Sequence, residues 1–155
     1  MLREEINTAL KEAMKARDER RVSTLRLVNA AIKNAEIDAQ VHGRAAIGED
    51  ELLGLLQKLI KQRQEAAEIY DKAGRGELAD RERSEIAIIQ AFLPKQMSEP
   101  EMQSAIAEAV KTTGAQSPKD MGSVMSALKQ AYAGKMDFAK ASALVKEMLA
   151  RPRSG

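Results

Sequence analysis

The side chains of this 155-residue chain that could do chemistry are carboxylates, cations and one imidazole. Cysteine is absent and His42 is the only histidine, which excludes thiol nucleophiles, thiolate metal sites and multi-histidine metal sites. His42 stands in a polar stretch with Gly43 and Gly48, and no partner motif accompanies it. These surroundings favour a solvated side chain over a general base.

Acidic residues form several clusters, and general acid–base catalysis would need two of them in one cleft. Most clusters stand at predicted helix starts, where the helix macrodipole stabilises negative charge. We therefore predict no catalytic residue, no metal ligand and no cofactor. The clusters are Glu4 with Glu5, Asp18 with Glu19, Glu49 to Glu51, and Glu65 with Glu68.

Composition narrows the class of protein further. The 25 basic and 23 acidic residues leave a net charge of +2, which is too balanced to indicate a polyanion partner by itself. Aromatic residues make up 3% of the chain, which argues against a platform of stacked aromatics for RNA bases.

No apolar run is long enough for a membrane span or a signal peptide, and Arg3, Glu4 and Glu5 interrupt the first ten residues. We therefore predict a cytoplasmic location and no membrane partner.

Good helix formers fill the chain between sparse glycines and prolines, and this pattern predicts an all-α protein. Four helices are predicted in residues 1–94, which would form an N-terminal hairpin or bundle of long antiparallel helices. The first helix carries an apolar stripe from Leu2 to Met14. The second runs from the Asp18 cap to about Ala39, with Leu27 widening its buried stripe. The third runs from Glu49 to the Gly74 turn, and the fourth runs from about Glu77 to Pro94.

A second domain is predicted over residues 98–150, because Ser98 and Glu101 form a capping box after Pro94. Its three short helices span Glu99–Thr113, Pro118 to about Ala133, and Phe138 to about Ala150. Their apolar spacing predicts a core of Ile106, Val110, Met121, Val124, Met125, Leu128, Phe138, Leu144, Val145, Met148 and Leu149.

Basic residues concentrate towards the end of this second domain. Six cations there face only Asp137 and Glu147, which gives a local charge of +4. Such a group favours contact with phosphates, and a solvated helix face remains the alternative. Gly122 and Gly134 could let a sugar–phosphate backbone approach closely, or they could serve close helix packing and a cap. The six cations are Lys129, Lys135, Lys140, Lys146, Arg151 and Arg153.

Several motifs of the chain resemble the YqeY-like family, in the family order and over nearly the whole sequence. The most specific are the segment Glu85 to Ser98, which reads EIAIIQAFLPKQMS, and the segment Asp120 to Met125, which reads DMGSVM. Shorter matches are Leu25-Arg26, Lys61-Gln62-Arg63 and Lys72-Ala73-Gly74-Arg75. The chain departs from the family pattern at Gly134 to Ser142, before the last helix.

This family is related to the tail domain of the B subunit of the bacterial glutamyl/aspartyl-tRNA amidotransferase. The resemblance implies an N-terminal bundle of long helices followed by a small three-helix domain. It also implies a role, because the tail is the part of the amidotransferase that grips tRNA. Glutaminase chemistry and ATP-dependent activation belong to other parts of that enzyme, and neither part is visible in this sequence.

The sequence therefore predicts a non-catalytic, tRNA-binding-like helical module. Its C-terminal domain would present Lys119, Lys129, Lys135 and Lys140 to phosphates around Gly122 and Gly134. Two alternatives stay open. The chain could be an accessory component of a carbon–nitrogen ligase that uses glutamine as amido-N-donor, with amidotransferase-type subunits as partners. It could also be a protein-interaction adaptor whose apolar helix face is completed by a partner or a second copy. For the predicted RNA-binding module, tRNA or another structured RNA is the expected ligand class, and the oligomeric state is open.

Overall fold

Helices are the regular elements of the computed structural model, which describes residues 1–151. No strand occurs in that range, so the predicted all-α class is confirmed. The chain divides into two compact units, one formed by Met1–Pro94 and the other beginning at Lys95. The helices are α1 (Leu2–Lys15), α2 (Glu19–Val41), α3 (Glu49–Lys72), α4 (Gly76–Gln90), α5 (Glu99–Thr113), a 3₁₀ turn (Pro118–Asp120), α6 (Met121–Tyr132) and α7 (Phe138–Ala150).

The first unit is held by an apolar core between α1, α2, α3 and α4. Asp18 caps the N-terminus of α2, and its carboxylate accepts a hydrogen bond from the Arg21 backbone N–H at 3.2 Å. The prediction for Leu27 is wrong, because this side chain is 51% exposed and lies outside the buried stripe of α2. The buried members of the core are Leu2, Ile6, Ala13, Leu25, Val28, Ile32, Leu52, Leu56, Ile60 and Ile89.

An ion pair joins α3 to α4. The Arg63 Nε donates to Glu85 Oε2 at 2.9 Å, and a second guanidinium nitrogen donates to the Leu59 carbonyl at 3.0 Å. The two side chains are only 13% and 16% exposed, so water screens this pair much less than a surface pair. Both residues lie in motifs that carry the family resemblance, and the ion pair gives those positions a structural role.

The link between α1 and α2 contains a left-handed residue that is not glycine. Arg17 has φ of 55°, and its N–H donates to the Met14 carbonyl at 3.2 Å. The Asp18 N–H donates to the Ala13 carbonyl at 3.0 Å, which completes a Schellman motif. A side chain with a Cβ pays roughly 1–2 kcal/mol for this conformation.

Changing Arg17 to glycine is expected to raise the free energy of unfolding by up to about 1 kcal/mol. The gain is the relieved backbone strain minus the greater chain entropy that glycine has when unfolded. Urea denaturation followed by circular dichroism measures it. Arg17→Ala serves as the control, because it removes the charge and keeps the Cβ. A glycine variant that is no more stable than the alanine variant would contradict this account.

Capping residues set the helix bounds in the second unit. The Ser98 and Glu101 capping box is present, with Glu101 N–H to Ser98 Oγ at 3.3 Å and Ser98 N–H to Glu101 Oε1 at 3.0 Å. Gly114, with φ of 70°, ends α5 as expected. The next predicted helix differs, because its first turn is 3₁₀ and α6 begins only at Met121. The Asp120 N–H donates to the Ser117 carbonyl three residues back, at 2.9 Å, which is the hydrogen bond of a 3₁₀ turn.

The core of the second unit contains the predicted apolar positions and several additional ones. Six predicted residues are buried, and the other five are partly buried and pack against them. The apolar periodicity did not predict Met136, which lies between two helices. It also did not predict four residues on or beside helices, which either have small side chains or lie next to the expected apolar stripe. The missed residues are Met102, Ala105, Ala115, Met136 and Ala141.

Among the helices in the described part of the chain, none is both long and apolar enough to cross a bilayer.

Candidate nucleic-acid interface

The turn between α6 and α7 is fixed on both sides of Lys135. Gly134 has φ of 77°, and the Lys135 N–H donates to the Tyr132 carbonyl at 3.0 Å. Met136 is fully buried. The Asp137 carboxylate accepts from the Ala139 and Lys140 N–H groups at 3.0 and 3.2 Å, which caps α7. We refer to residues Gly134–Asp137 as the α6–α7 turn.

The segment that precedes α5 clamps this turn. The Gln96 Nε2 donates to the Gly134 carbonyl at 2.6 Å, and the Met97 N–H donates to the Lys135 carbonyl at 2.8 Å. Two consecutive carbonyls of the turn are therefore satisfied from outside it, while the Lys135 side chain stays exposed. Sequence reasoning missed Gln96 as a site residue, although it stands in the Leu-Pro-Lys-Gln-Met stretch of the family motif.

Gly134 differs from the open surface that the sequence suggested. The residue is buried, and its carbonyl is covered by the Gln96 amide. It therefore shapes the turn through its left-handed backbone and offers no exposed face to a phosphate.

Four lysines stand close to the clamped turn along the chain or next to the residues that clamp it. Lys129 is near the end of α6, Lys135 is in the turn, Lys140 is in the first helical turn of α7, and Lys95 precedes Gln96. All four are exposed. Within residues 1–151 none of their ammonium groups has a carboxylate oxygen within 4.0 Å. Lys95 is a further cation that sequence reasoning did not place at the site. We call these four residues the turn lysines.

Two of the three carboxylates at this end of the unit accept hydrogen bonds from backbone N–H groups, and the third, Glu99, is exposed. Asp137 caps α7, and Glu101 caps α5. The Ser98 backbone N–H, which donates to the Glu101 carboxylate, lowers the pKa of Glu101 below its ordinary value. Because both carboxylates sit at helix N-termini, part of their charge is offset by the macrodipoles. The four turn lysines outnumber these three carboxylates, and the charge of Lys95 is partly offset by Glu101.

Lys119 and Gly122 lie at the other end of α6. The five-residue connection between α6 and α7 makes the two helices roughly antiparallel. Gly122 in the first turn of α6 is then roughly 15 Å from Tyr132 along the helix axis. The structure therefore separates the six predicted residues into two groups, with Lys129, Gly134, Lys135 and Lys140 at one end and Lys119 with Gly122 at the other.

The Lys119 end is open but carries a carboxylate. Lys119 is exposed, and a Cβ added at Gly122 would meet no atom within 4 Å beyond its chain neighbours and the adjacent backbone of its own helix. The Asp120 carboxylate accepts from the Gln116 and Ser117 N–H groups at 2.9 and 3.3 Å. These hydrogen bonds, first that of Gln116, lower the pKa of Asp120 below its ordinary value. One lysine beside one carboxylate attracts a phosphate less strongly than the four turn lysines do.

The remaining cations of the predicted basic group are distributed differently. Lys146 is exposed on α7. Arg151 pairs with Glu147 at 2.9 Å, so its charge is locally compensated. Arg153 lies outside the described residues.

The imidazole is exposed, and two of the carboxylate clusters have structural roles. His42 is exposed, and its Nδ1 lies 2.8 Å from the Asp38 carbonyl oxygen. The Glu49 carboxylate accepts from the Leu2 N–H at 3.0 Å, and Asp18 caps α2. Across residues 1–151, no group of three or more acidic or histidine side chains is placed to hold a metal ion.

Three fungal relatives show what the chain is similar to. A protein of Lachancea thermotolerans named "Altered inheritance of mitochondria protein 41, mitochondrial" is 45% identical over 84 residues, which cover 54% of this chain and 43% of that protein. The protein of the same name from Candida glabrata is 29% identical over 147 residues, or 94% of this chain and 74% of that protein. An uncharacterised protein of Schizosaccharomyces pombe is 32% identical over 93 residues, or 60% and 72%.

The match covers less than half the length of the Lachancea relative and of the relative with the same name from Vanderwaltozyma polyspora, with 43% and 44% covered.

The names of the relatives also correct the predicted cytoplasmic location. That prediction is wrong by this comparison, since the relatives are named as mitochondrial proteins. The prediction relied on a missing apolar run. Mitochondrial targeting uses amphipathic, arginine-rich segments, so that criterion cannot separate the two compartments.

The family assignment rests on the longest match. The family model described as Yqey-like protein covers residues 3–149. That range includes both units and every motif that carried the resemblance, which is therefore confirmed. The chain belongs to the YqeY-like family.

Proposed function

We propose that this chain is a non-catalytic RNA-binding module that holds structured RNA of the tRNA class through its second unit. The observation that carries the proposal is the clamped α6–α7 turn, which leaves Lys135 exposed near three other exposed lysines, and none of the four forms an ion pair within residues 1–151. Phosphate contacts would supply most of the affinity, because lysine is a compact point charge that suits a phosphate backbone.

The aromatic content of the unit supports recognition of shape over recognition of bases. Tyr132 and Phe138 are partly buried and pack against the core. Base stacking needs exposed aromatic faces, so it contributes little here. The turn lysines are the principal contact, and Lys119 with Gly122 is a weaker second contact because it offers a single lysine, next to Asp120.

The choice of tRNA as the first ligand is supported by the family. Its resemblance to the tRNA-gripping tail of the amidotransferase B subunit suggests an RNA with a compact, folded backbone. The names of the fungal relatives specify no ligand.

A salt titration tests this function. Fluorescence anisotropy of labelled bulk tRNA, titrated with the full chain between about 50 and 300 mM salt, is expected to show affinity that falls steeply with salt. Three to four phosphate contacts correspond to a slope of about −3 in a plot of log association constant against log salt concentration. A single-stranded oligonucleotide of the same length is the control, and we expect it to bind more weakly.

Two results would overturn the proposal. One is absence of tRNA binding at the lowest salt concentration, and the other is binding that does not change with salt. Equal affinity for tRNA and the unstructured oligonucleotide would retain RNA binding but reject recognition of a folded shape.

A further inference from the structure

α2 carries apolar side chains on two opposite faces. Its inner face is buried in the first unit through Leu25, Val28 and Ile32. At 100° per residue, the opposite face contains Leu27, Ile37 and Val41. These three side chains are 51%, 49% and 77% exposed, which is unusual for large aliphatic residues on a single helix face.

The exposed face follows a coiled-coil repeat. Leu27, Asn34 and Val41 are spaced by seven residues, and Ala30 and Ile37 each follow an earlier member by three. These are the a and d positions of two heptads, with an asparagine at the central a position. We call Leu27, Ala30, Asn34, Ile37 and Val41 the outer seam. All five residues are exposed.

We propose that the outer seam docks on the outer seam of a second copy of this chain, with the two α2 helices parallel and in register. The central asparagine supports this arrangement, because an asparagine at one a position favours a parallel two-stranded pair in which the two amides meet. The proposal is independent of RNA binding, since the outer seam lies in the first unit.

Charge on the flanks of the seam selects the parallel direction. Lys33 occupies a g position, and Asp38 occupies the e position of the next heptad. In a parallel pair, a g residue of one helix lies beside the e residue of the following heptad in the other helix. Lys33 of each copy would therefore pair with Asp38 of the other, twice by symmetry. In an antiparallel pair, g positions of one helix face g positions of the other. Arg26 and Lys33, both at g positions, would then face Arg26 and Lys33 of the second copy, and the like charges would repel. Lys33 has no ion pair within residues 1–151.

The size of the seam sets the expected strength. From Leu27 to Val41 it is about 21 Å long. An interface of two heptads falls below the area buried by stable dimers, so we expect a dissociation constant of about 10–100 µM.

Cysteine cross-linking tests both docking and direction, since the natural chain has no cysteine. Under mild oxidation Val41→Cys is expected to form a disulfide-linked dimer, because a parallel pair places this position beside itself. In an antiparallel pair Leu27 would lie beside Val41 of the second copy, so a disulfide would form only when the Leu27→Cys and Val41→Cys variants are mixed. The control is Ile69→Cys, at an exposed apolar position of α3, which should cross-link only at the rate of random encounters.

Sedimentation equilibrium of the full chain measures the same interaction without cross-linking. Ile37→Glu is expected to weaken dimerisation at least tenfold, whereas Ile69→Glu, an equal substitution at another exposed isoleucine, should have no effect. Lys33→Glu should weaken the dimer, and the swap Lys33→Glu with Asp38→Lys should restore it. All these positions are exposed, so circular dichroism should report unchanged helix content.

Three outcomes would overturn the proposal. The first is a monomer at every concentration up to about 500 µM, well above the expected dissociation constant. The second is efficient cross-linking only between the Leu27→Cys and Val41→Cys variants. The third is equal weakening by Ile37→Glu and Ile69→Glu, which would place the contact elsewhere.

Discussion

Replacing Lys129, Lys135 and Lys140 together by glutamine is expected to lower the affinity for tRNA about 10- to 100-fold near 100 mM salt. Each ammonium group that contacts a phosphate releases a condensed counterion, so three lost contacts remove a large share of the electrostatic free energy. The slope of log association constant against log salt should fall by about two to three in magnitude. Anisotropy titrations at several salt concentrations measure both quantities.

The matched control changes three lysines of the first unit. Lys58, Lys61 and Lys72 are exposed on α3, and replacing them by glutamine changes the net charge by the same amount. If affinity depends on contacts at the clamped turn, this variant should bind nearly as the natural chain does. Equal losses in both triple variants would show that total charge governs binding and would contradict a site at the α6–α7 turn.

Short-range signals predicted most of the helices. Asp18, Ser98 and Asp137 each bond the backbone at a helix start, and Gly114 ends α5 in a left-handed conformation. These interactions span two to four residues, so the sequence contains all the partners they need. The 3₁₀ turn before α6 also depends on local bonds, but a proline after a serine predicts only a helix start and leaves the type of turn unspecified.

Long-range contacts explain what the sequence could not predict about the site. Gly134 appears in the sequence as a flexible residue in a basic stretch, yet Gln96, 38 residues earlier, covers its carbonyl. The cations themselves are visible in the sequence. Their division between the two ends of α6 depends on helix direction in three dimensions, which separates Lys119 from Lys135.

The outer face of α2 shows the same limitation for apolar residues. Hydrophobic spacing alone assigned Leu27 to the buried stripe, because a helix with two apolar faces gives a broad pattern with no single direction. Only the packing of α1, α3 and α4 against α2 shows which face is inner. The residual exposed face is then a property of the assembled unit, and it is the observation that leads to the proposed dimer.

Truncating Met136 to alanine is expected to cost about 2–4 kcal/mol of the free energy of unfolding of the second unit. Its side chain is fully buried, although it lies between two helices. Hydrogen bonds to the Gly134 and Lys135 carbonyls and to the Asp137 carboxylate fix the neighbouring backbone. The turn is therefore held in place and does not fill the cavity that the truncation leaves. A unit of this size has a small stability margin, so a loss of this amount removes much of it.

Urea denaturation of each unit can be followed separately, because Tyr70 lies in the first unit and Tyr132 in the second. In a Tyr70→Phe background, tyrosine fluorescence should show an earlier transition for Met136→Ala and a much smaller shift for the partly buried Met125→Ala. The loss of tRNA binding on warming should follow the unfolded fraction of this unit, since the turn lysines are positioned by the core that Met136 fills. Similar shifts for the two methionine variants would mean that the turn is not anchored by Met136.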